Sequence, residues 1–311
     1  MISIGSINAD FLFSVRRGVR PGETLLAGAF LRTSGGKAAN RAVQACRLGV
    51  PARLFGCVGD DDLAALALAG PVAAGVDVGP VGQAPGPTGT AAILVEESGD
   101  KTIVLAANAN DAWPSGYKAT VAEAIASCPP ESVMTCDLEV APGAPHEAIR
   151  AAAGHGLTVV VDPSPADRAD PELWPLVDHV TPNANEAAGL TGISVDSVES
   201  AAAAGTHLVK AGAGTAYVKL STGGCVVVED GADPVVCEAP EVRMIDATGA
   251  GDSFAGTLAA RLEEGRSPAD AARWAVAAST WSVGRRASQE SYGTTEELNA
   301  LAQQVRPRPL R

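Results

Sequence analysis

From Ser132 onward, short apolar stretches alternate with amphipathic ones: Val133–Cys136, then residues 145–153, 157–161, 171–177 and 179–181. Strands and helices that alternate in this way bury their apolar sides by forming a parallel sheet covered by helices. The expected class is α/β, with a doubly wound, mostly parallel sheet flanked by helices. Residues 216–220 and 225–229 read as further strands, and 250–262, 268–283 and 294–304 as helices that fill the C-terminal third.

The N-terminal part reads differently. A short apolar strand ends at Gly5-Ser6, and β-prone stretches at 11–15 and 24–32 flank the turn Pro21-Gly22. Two more, 90–95 and 101–106, flank Glu96-Glu97-Ser98-Gly99-Asp100, a hairpin signal. These segments predict a small β-sheet outside the core, within about 11–33 and 88–107 and reached across residues 80–87. A chain of 311 residues suffices for one large core with such an appendage, and no repeat or linker divides it, so 1–311 is expected to be a single domain.

With 46% hydrophobic and 19% charged residues, the composition excludes a disordered chain. The formal charge of −13 repels polyanions, so no nucleic-acid partner is expected. A mononucleotide is a different matter, because helix N-termini, a few placed cations and bound Mg²⁺ can reverse the potential inside a cleft. The six cysteines contain no C-x-x-C pair and the four histidines no ligand spacing, so no zinc or redox motif is read. No apolar run approaches the ~18 residues of a membrane span, and Met1-Ile2-Ser3 opens without a basic leader. A cytoplasmic protein without membrane contact is expected.

Chemistry concentrates in three segments. Asp246-Ala247-Thr248-Gly249-Ala250-Gly251-Asp252-Ser253-Phe254 places small residues and an acid at the start of an apolar helix. Successive N–H groups there can cradle an anionic oxygen, aided by the helix dipole, while Asp252 can accept a hydroxyl proton. An ordinary Gly-rich turn with a capping Asp has the same appearance. Ser34-Gly35-Gly36-Lys37-Ala38-Ala39-Asn40 precedes a second amphipathic helix and can bring backbone donors and Asn40 to a polyol. Thr181-Pro182-Asn183-Ala184-Asn185-Glu186 lies where a strand gives way to a helix, the place at which open α/β sheets gather ligands. Asn183 and Glu186 have the spacing of a capping pair; alternatively, Glu186 orients hydrated Mg²⁺.

Together with Gly5-Ser6-Ile7-Asn8-Ala9-Asp10, Pro21-Gly22-Glu23-Thr24 and Gly59-Asp60-Asp61, and in this order, these segments resemble the ribokinase family of carbohydrate and nucleoside kinases over nearly the whole chain. The resemblance implies an ATP-dependent kinase with Mg²⁺, acting on a primary hydroxyl, with D-ribose the first acceptor to expect. Another sugar, a sugar phosphate, a nucleoside, or a non-catalytic binding role remain alternatives. A nicotinamide dehydrogenase does not fit, since the first strand lacks a G-x-G-x-x-G turn. By the same resemblance Asp252 is the base and Gly249, Ala250 and Gly251 hold the transferred phosphate. Asn8, Asp10, Gly36, Lys37, Asn40 and Glu139 line the sugar side, a donor and acceptor set that suits a neutral polyol better than a phosphorylated sugar. Asn183, Glu186, Ser221 and Gly224 lie on the nucleotide side. A K⁺ site is implied at Asp246, Thr248, Ser282, Arg285, Ala287 and Ser291, and a homodimer formed through the small sheet acting as a lid. The sequence departs from the family at Ser221, Ala38 and Ala287, where glycine is frequent, and at Glu290, where proline is common.

Overall fold

The computed structural model describes residues 1–99 and 101–310; Asp100, the last residue of the expected hairpin turn, and Arg311 lie outside the described residues. Among the described residues the main sheet has nine strands. From one edge they run Arg53–Phe55, Ile2–Ile4, Val133–Cys136, Thr158–Val161, His179–Val180, Thr215–Lys219, Cys225–Glu229, Val235–Cys237 and Arg308–Pro309. The first six are mutually parallel and the last three antiparallel. No helix among the described residues is long and apolar enough to cross a membrane.

Side chains of a strand alternate between faces, so both faces of this sheet must be covered. Val133 and Val160 pack into one apolar cluster with the helices Lys37–Arg47, Ala250–Glu263 and Pro268–Val283. Met134, Cys136, Val159 and Val161 pack into another, with Tyr117–Ala126 and Ala144–Gly154. The first layer is rich in alanine, which lets its helices approach closely: a Cβ on Gly256 would lie 2.8 Å from the Arg41 carbonyl oxygen.

A separate four-stranded sheet has the order Ala29–Gly35, Asn8–Val15, Gly89–Glu96, Lys101–Ala106. Two of its strands differ from the sequence expectation. The strand expected at 11–15 begins at Asn8, because Asn8 is held between Gly35 and Gly89 on its two neighbours, although apolar alternation starts only at Phe11. The strand expected at 24–32 runs Ala29–Gly35, since the pairing with its neighbour ends at Ser14 opposite Ala29. The segment expected as a helix over 171–177 is a 3₁₀ turn, Pro171–Leu176. Pro175 inside it has no N–H to continue an α-helical ladder.

Candidate active site

The carboxyl ends of the parallel strands converge on a cleft of about 950 Å³, roofed by the small sheet. Asn8 and Asp10 enter it from the small sheet, Lys37 and Asn40 from the first turn of the helix Lys37–Arg47, and Glu139 from the loop after Val133–Cys136. Gly36 caps that helix at φ 92°. A side chain there would run into the backbone of Ser6, Ile7 and Asn8, so only glycine allows the close approach.

Asp252 sits in the first turn of Ala250–Glu263, preceded by Gly249 at φ 73°. A Cβ on Gly249 would lie 2.7 Å from the Tyr292 hydroxyl, which donates to the Gly249 carbonyl at 3.0 Å. The helix starts without a side-chain cap; the Ala250 N–H donates to the Ala247 carbonyl at 3.4 Å, and Gly251 and Asp252 line the cleft at the positive end of the helix dipole. Asp252 Oδ2 accepts from Asn40 Nδ2 at 2.7 Å, and Oδ1 lies 3.9 Å from Lys37 Nζ.

The electrostatics divide the cleft in two. Lys37 lies 3.8 Å from Glu139 and 3.7 Å from Asp162. Burial opposes its charge, but Glu139, Asp162, Asp252 and Glu186 outweigh burial and hold its pKa well above the ordinary lysine value. Asp10 and Glu139 behave oppositely. Burial, reinforced by Asp252, Glu139 and Glu290, pushes Asp10 up to about 7, and its Oδ1 is buried without a hydrogen-bond partner among the described residues. Burial likewise raises Glu139 to about 7, against the pull of Lys37. Such groups accept or share protons with hydroxyls readily and hold charge reluctantly.

The stability consequence follows from the order of titration. Unfolded, Asp10 loses its proton near 3.8; folded, near 7. As pH rises through that window the unfolded chain binds fewer protons, so stability falls between about pH 4 and 7 and stays reduced above. Asp10→Asn should therefore raise Tm more at pH 8 than at pH 5. Equal Tm shifts at the two pH values would refute this account.

On the other side of Asp252, Asn183, Glu186, Ser221 and Gly224 line the same cleft. Asn183 and Glu186 form a complete capping box, with Glu186 Oε2 accepting from the Asn183 N–H at 2.7 Å. Glu186 Oε1 takes no part in that box. Ser221 and Gly224 lie in the turn of the antiparallel hairpin joining Thr215–Lys219 to Cys225–Glu229. The residue of that turn that must be glycine is Gly224, at φ 83°, where a Cβ would overlap the Cys237 carbonyl oxygen.

Asp246 and Thr248 lie in the segment 245–248, which abuts the stretch holding Ser282, Arg285 and Ala287 through the Ile245 and Asp246 N–H groups on the Val283 carbonyl; Ser291, further along, donates its hydroxyl to the Ser288 carbonyl at 2.6 Å. Asp246 accepts from the N–H groups of Thr248 at 2.8 Å and Ala287 at 3.0 Å. It is 4% exposed and forms no ion pair among the described residues. Thr248 Oγ1 and Ser288 Oγ are buried without partners. A carboxylate, carbonyls and idle hydroxyl oxygens are hard ligands that fit an alkali cation. Ala287 keeps the left-handed conformation, φ 64°, so the loop follows a glycine path despite its methyl group. The Arg285 guanidinium stacks on Trp281, 3.3 Å from the ring centroid, and so is turned to the aromatic ring.

Five charged residues in and beside the cleft escaped sequence reading: Asp162, Lys219, Arg41, Asp137 and Lys101. Asp162 is ion-paired with Lys219 at 3.5 Å, Lys37 at 3.7 Å and Arg41 at 3.9 Å. Burial works against its ionisation, but these three cations hold its pKa below the usual carboxylate value. Arg41 is fully buried against Asp137 at 2.8 Å. Asp137 and Asp162 each directly follow a buried parallel strand, a position that marks ligand-facing acids in α/β sheets. Lys101 reaches from the small sheet to the Ala247 carbonyl at 3.0 Å.

The pfkB family carbohydrate kinase model matches residues 1–295. The chain belongs to the pfkB family of carbohydrate kinases. Within it, the chain is 33% identical over 300 residues to the ribokinase of Haemophilus influenzae, covering 94% of this chain and 95% of that one. It is 30% identical over 304 residues to the ribokinase of Staphylococcus aureus, covering 97% and 99%. Among solved pfkB-type structures, the Arabidopsis thaliana ribokinase complexed with ribose and ATP superposes with a TM-score of 0.82 at 25% identity, covering 97% of this chain and 98% of that one. The ribokinase of Thermotoga maritima gives 0.82 at 28% identity with the same coverage.

Proposed function

We propose that this kinase is a ribokinase that transfers the γ-phosphoryl group of ATP to the primary hydroxyl of D-ribose. The observation that carries the reading is the position of Asp252, between a polyol-type cradle and an uncapped helix start. Asp10, Asn8, Asn40 and Glu139 offer acceptors and donors for neighbouring hydroxyls. Asp252 Oδ1 takes the proton of the reacting hydroxyl as its oxygen attacks the γ-phosphorus, and the bond from that phosphorus to the β–γ bridging oxygen breaks to release ADP. The N–H groups that follow Gly249, with Lys219 near Gly251, stabilise the transferred group. Mg²⁺ accompanying the nucleotide supplies charge neutralisation on the phosphates, and Glu186 Oε1 would hold one of its waters.

The same reading makes 1–311 one kinase unit in which the small sheet is a lid. K⁺ beside Asp246 would stiffen the turn that carries the phosphate donors, without touching substrate. Phe30 and Val104 are 54% and 66% exposed on the face of the lid that does not line the cleft, an apolar surface suited to a second copy of the chain. The six cysteines are free thiols, in keeping with a cytoplasmic, reducing setting.

The test is sugar-dependent ADP release over a panel of ribose, other neutral sugars, sugar phosphates and nucleosides. Each is measured in K⁺ and in a bulky organic cation at matched ionic strength, to separate binding from screening. Ribose should lead the panel, K⁺ should raise kcat, and light scattering of the same preparation should give twice the chain mass. Faster turnover of a sugar phosphate or nucleoside would replace ribose as substrate, equal rates in the two cations would remove the K⁺ site, and a fully active monomer would remove the dimer.

A further inference from the structure

Gln289 opens the short 3₁₀ turn Gln289–Ser291 and is 3% exposed. Its Nε2 donates to Asn40 Oδ1 at 2.9 Å, and Asn40 Nδ2 donates to Asp252 Oδ2 at 2.7 Å. Its Oε1 has no hydrogen-bond partner among the described residues. That oxygen lies over Gly70, inside the helix Leu63–Ala73, where an added methyl group would overlap it.

The direction of this chain of bonds is fixed by chemistry. A carboxylate only accepts, so Asn40 must present its amide N–H to Asp252. Its oxygen then faces Gln289, and whatever stands there must donate. A glutamine with its oxygen parked over a glycine meets that demand at this length. A carboxylate of the same shape would meet an acceptor with an acceptor.

We propose that Gln289 is a positioning residue for phosphoryl transfer: by donating to Asn40 Oδ1 it locks the Asn40 amide in the orientation that supports Asp252, leaving Asp252 Oδ1 to take the hydroxyl proton. Asn40 keeps its second N–H and second lone pair for the sugar. The inference rests on the kinase reading of Asp252. It also gives the loop 282–291 two points of action, since Ala287 donates to Asp246 under the phosphate turn while Gln289 acts on the base.

The test uses kcat and KM for both substrates at pH 8. Gln289→Met, close in length and without a donor, should lower kcat about 10- to 100-fold, the range of a hydrogen bond that supports a charged group, with KM for ATP changed by no more than about 2-fold. Gln289→Glu, although closer in shape, should be more impaired than Gln289→Met. Gly70→Ala approaches the same contact from outside the site. Alanine is the more stable residue within a helix, yet here it should lower kcat by displacing Gln289, and it should add nothing in a Gln289→Ala background, where the oxygen it strikes is gone. The proposal is overturned if kcat in Gln289→Met stays near wild type, if Gln289→Glu outperforms Gln289→Met, or if Gly70→Ala costs the same in both backgrounds. If the Gln289 variants do not fold, Gly70→Ala decides alone: unchanged kcat rejects the proposal, and a loss confined to kcat supports it. Failure of the kinase reading is separate, because it would show as a wild-type protein that turns over no sugar.

Discussion

Asp252→Asn should leave a folded protein whose kcat is lower by about 10²–10⁴, the usual contribution of a general base. The substitution preserves shape and the contact with Asn40, so the lesion is confined to proton acceptance at Oδ1. ATP meets mainly the helix start, Lys219 and the hairpin turn, none of which is altered. Its KM should therefore move by no more than about 3-fold, the pattern of an interaction made in the transition state rather than on binding. Residual activity is expected, because the N–H donors and Lys219 still stabilise the transferred phosphoryl group. Steady-state rates in the coupled ADP-release assay are the measurement. A purified, folded variant with near-wild-type kcat would remove Asp252 from the role of base and leave the cleft as a binding site only.

Removal of the Asp137 carboxylate should produce the largest stability loss among single changes near the cleft. Arg41 and Asp137 both have fully buried side chains, 2.8 Å apart. Asp137 also accepts from the N–H groups of Ser6 and Glu139 at 3.2 and 3.0 Å, and Arg41 donates to the Ile4 carbonyl at 3.1 Å. Asp137→Ala strands a buried guanidinium whose remaining acid, Asp162, is 3.9 Å away. Breaking such a pair from one side costs about 3–5 kcal/mol, whereas replacing both members by apolar residues of similar volume is often close to neutral. Denaturant midpoints should therefore show a large loss for Asp137→Ala and recovery of most of it in Arg41→Met with Asp137→Leu. A single-variant loss below about 1 kcal/mol would show that Asp162 alone satisfies Arg41. The pair also links the end of Ile2–Ile4, through the Ile4 carbonyl, to the residue after Val133–Cys136, so Asp137→Ala should weaken sugar binding through Glu139 and Ser6, whose hydroxyl donates to Glu139 at 3.2 Å.

Most of the parallel sheet was legible because its signal is local. A buried strand must be apolar over consecutive residues, as Val133–Cys136 and Thr158–Val161 are, and the helices between them carry their own periodicity. Asp252 and its glycines were legible for a related reason: a helix start that leaves N–H groups open needs small residues in a row, and that is written in sequence. Failures occurred where the signal was not local. Asn8 is a strand residue only because two other strands flank it, and the turn over 171–176 departs from a helix because Pro175 interrupts the ladder.

What the sequence by itself determined is the α/β class, the presence of a small sheet, and the glycine-rich start of the helix Ala250–Glu263, since each depends on neighbours along the chain. What only the tertiary structure decided is the charge balance of the cleft. Asp162 and Lys219 are 57 residues apart and Arg41 and Asp137 are 96 apart, and their pairing exists only once the sheet brings strand ends together. The donor from Gln289 to Asn40 spans 249 residues. Burial, which pushes Asp10 and Glu139 up to about 7, is likewise a property of the closed cleft, because desolvation requires low-dielectric matter on every side of a carboxyl and no stretch of chain can supply that alone.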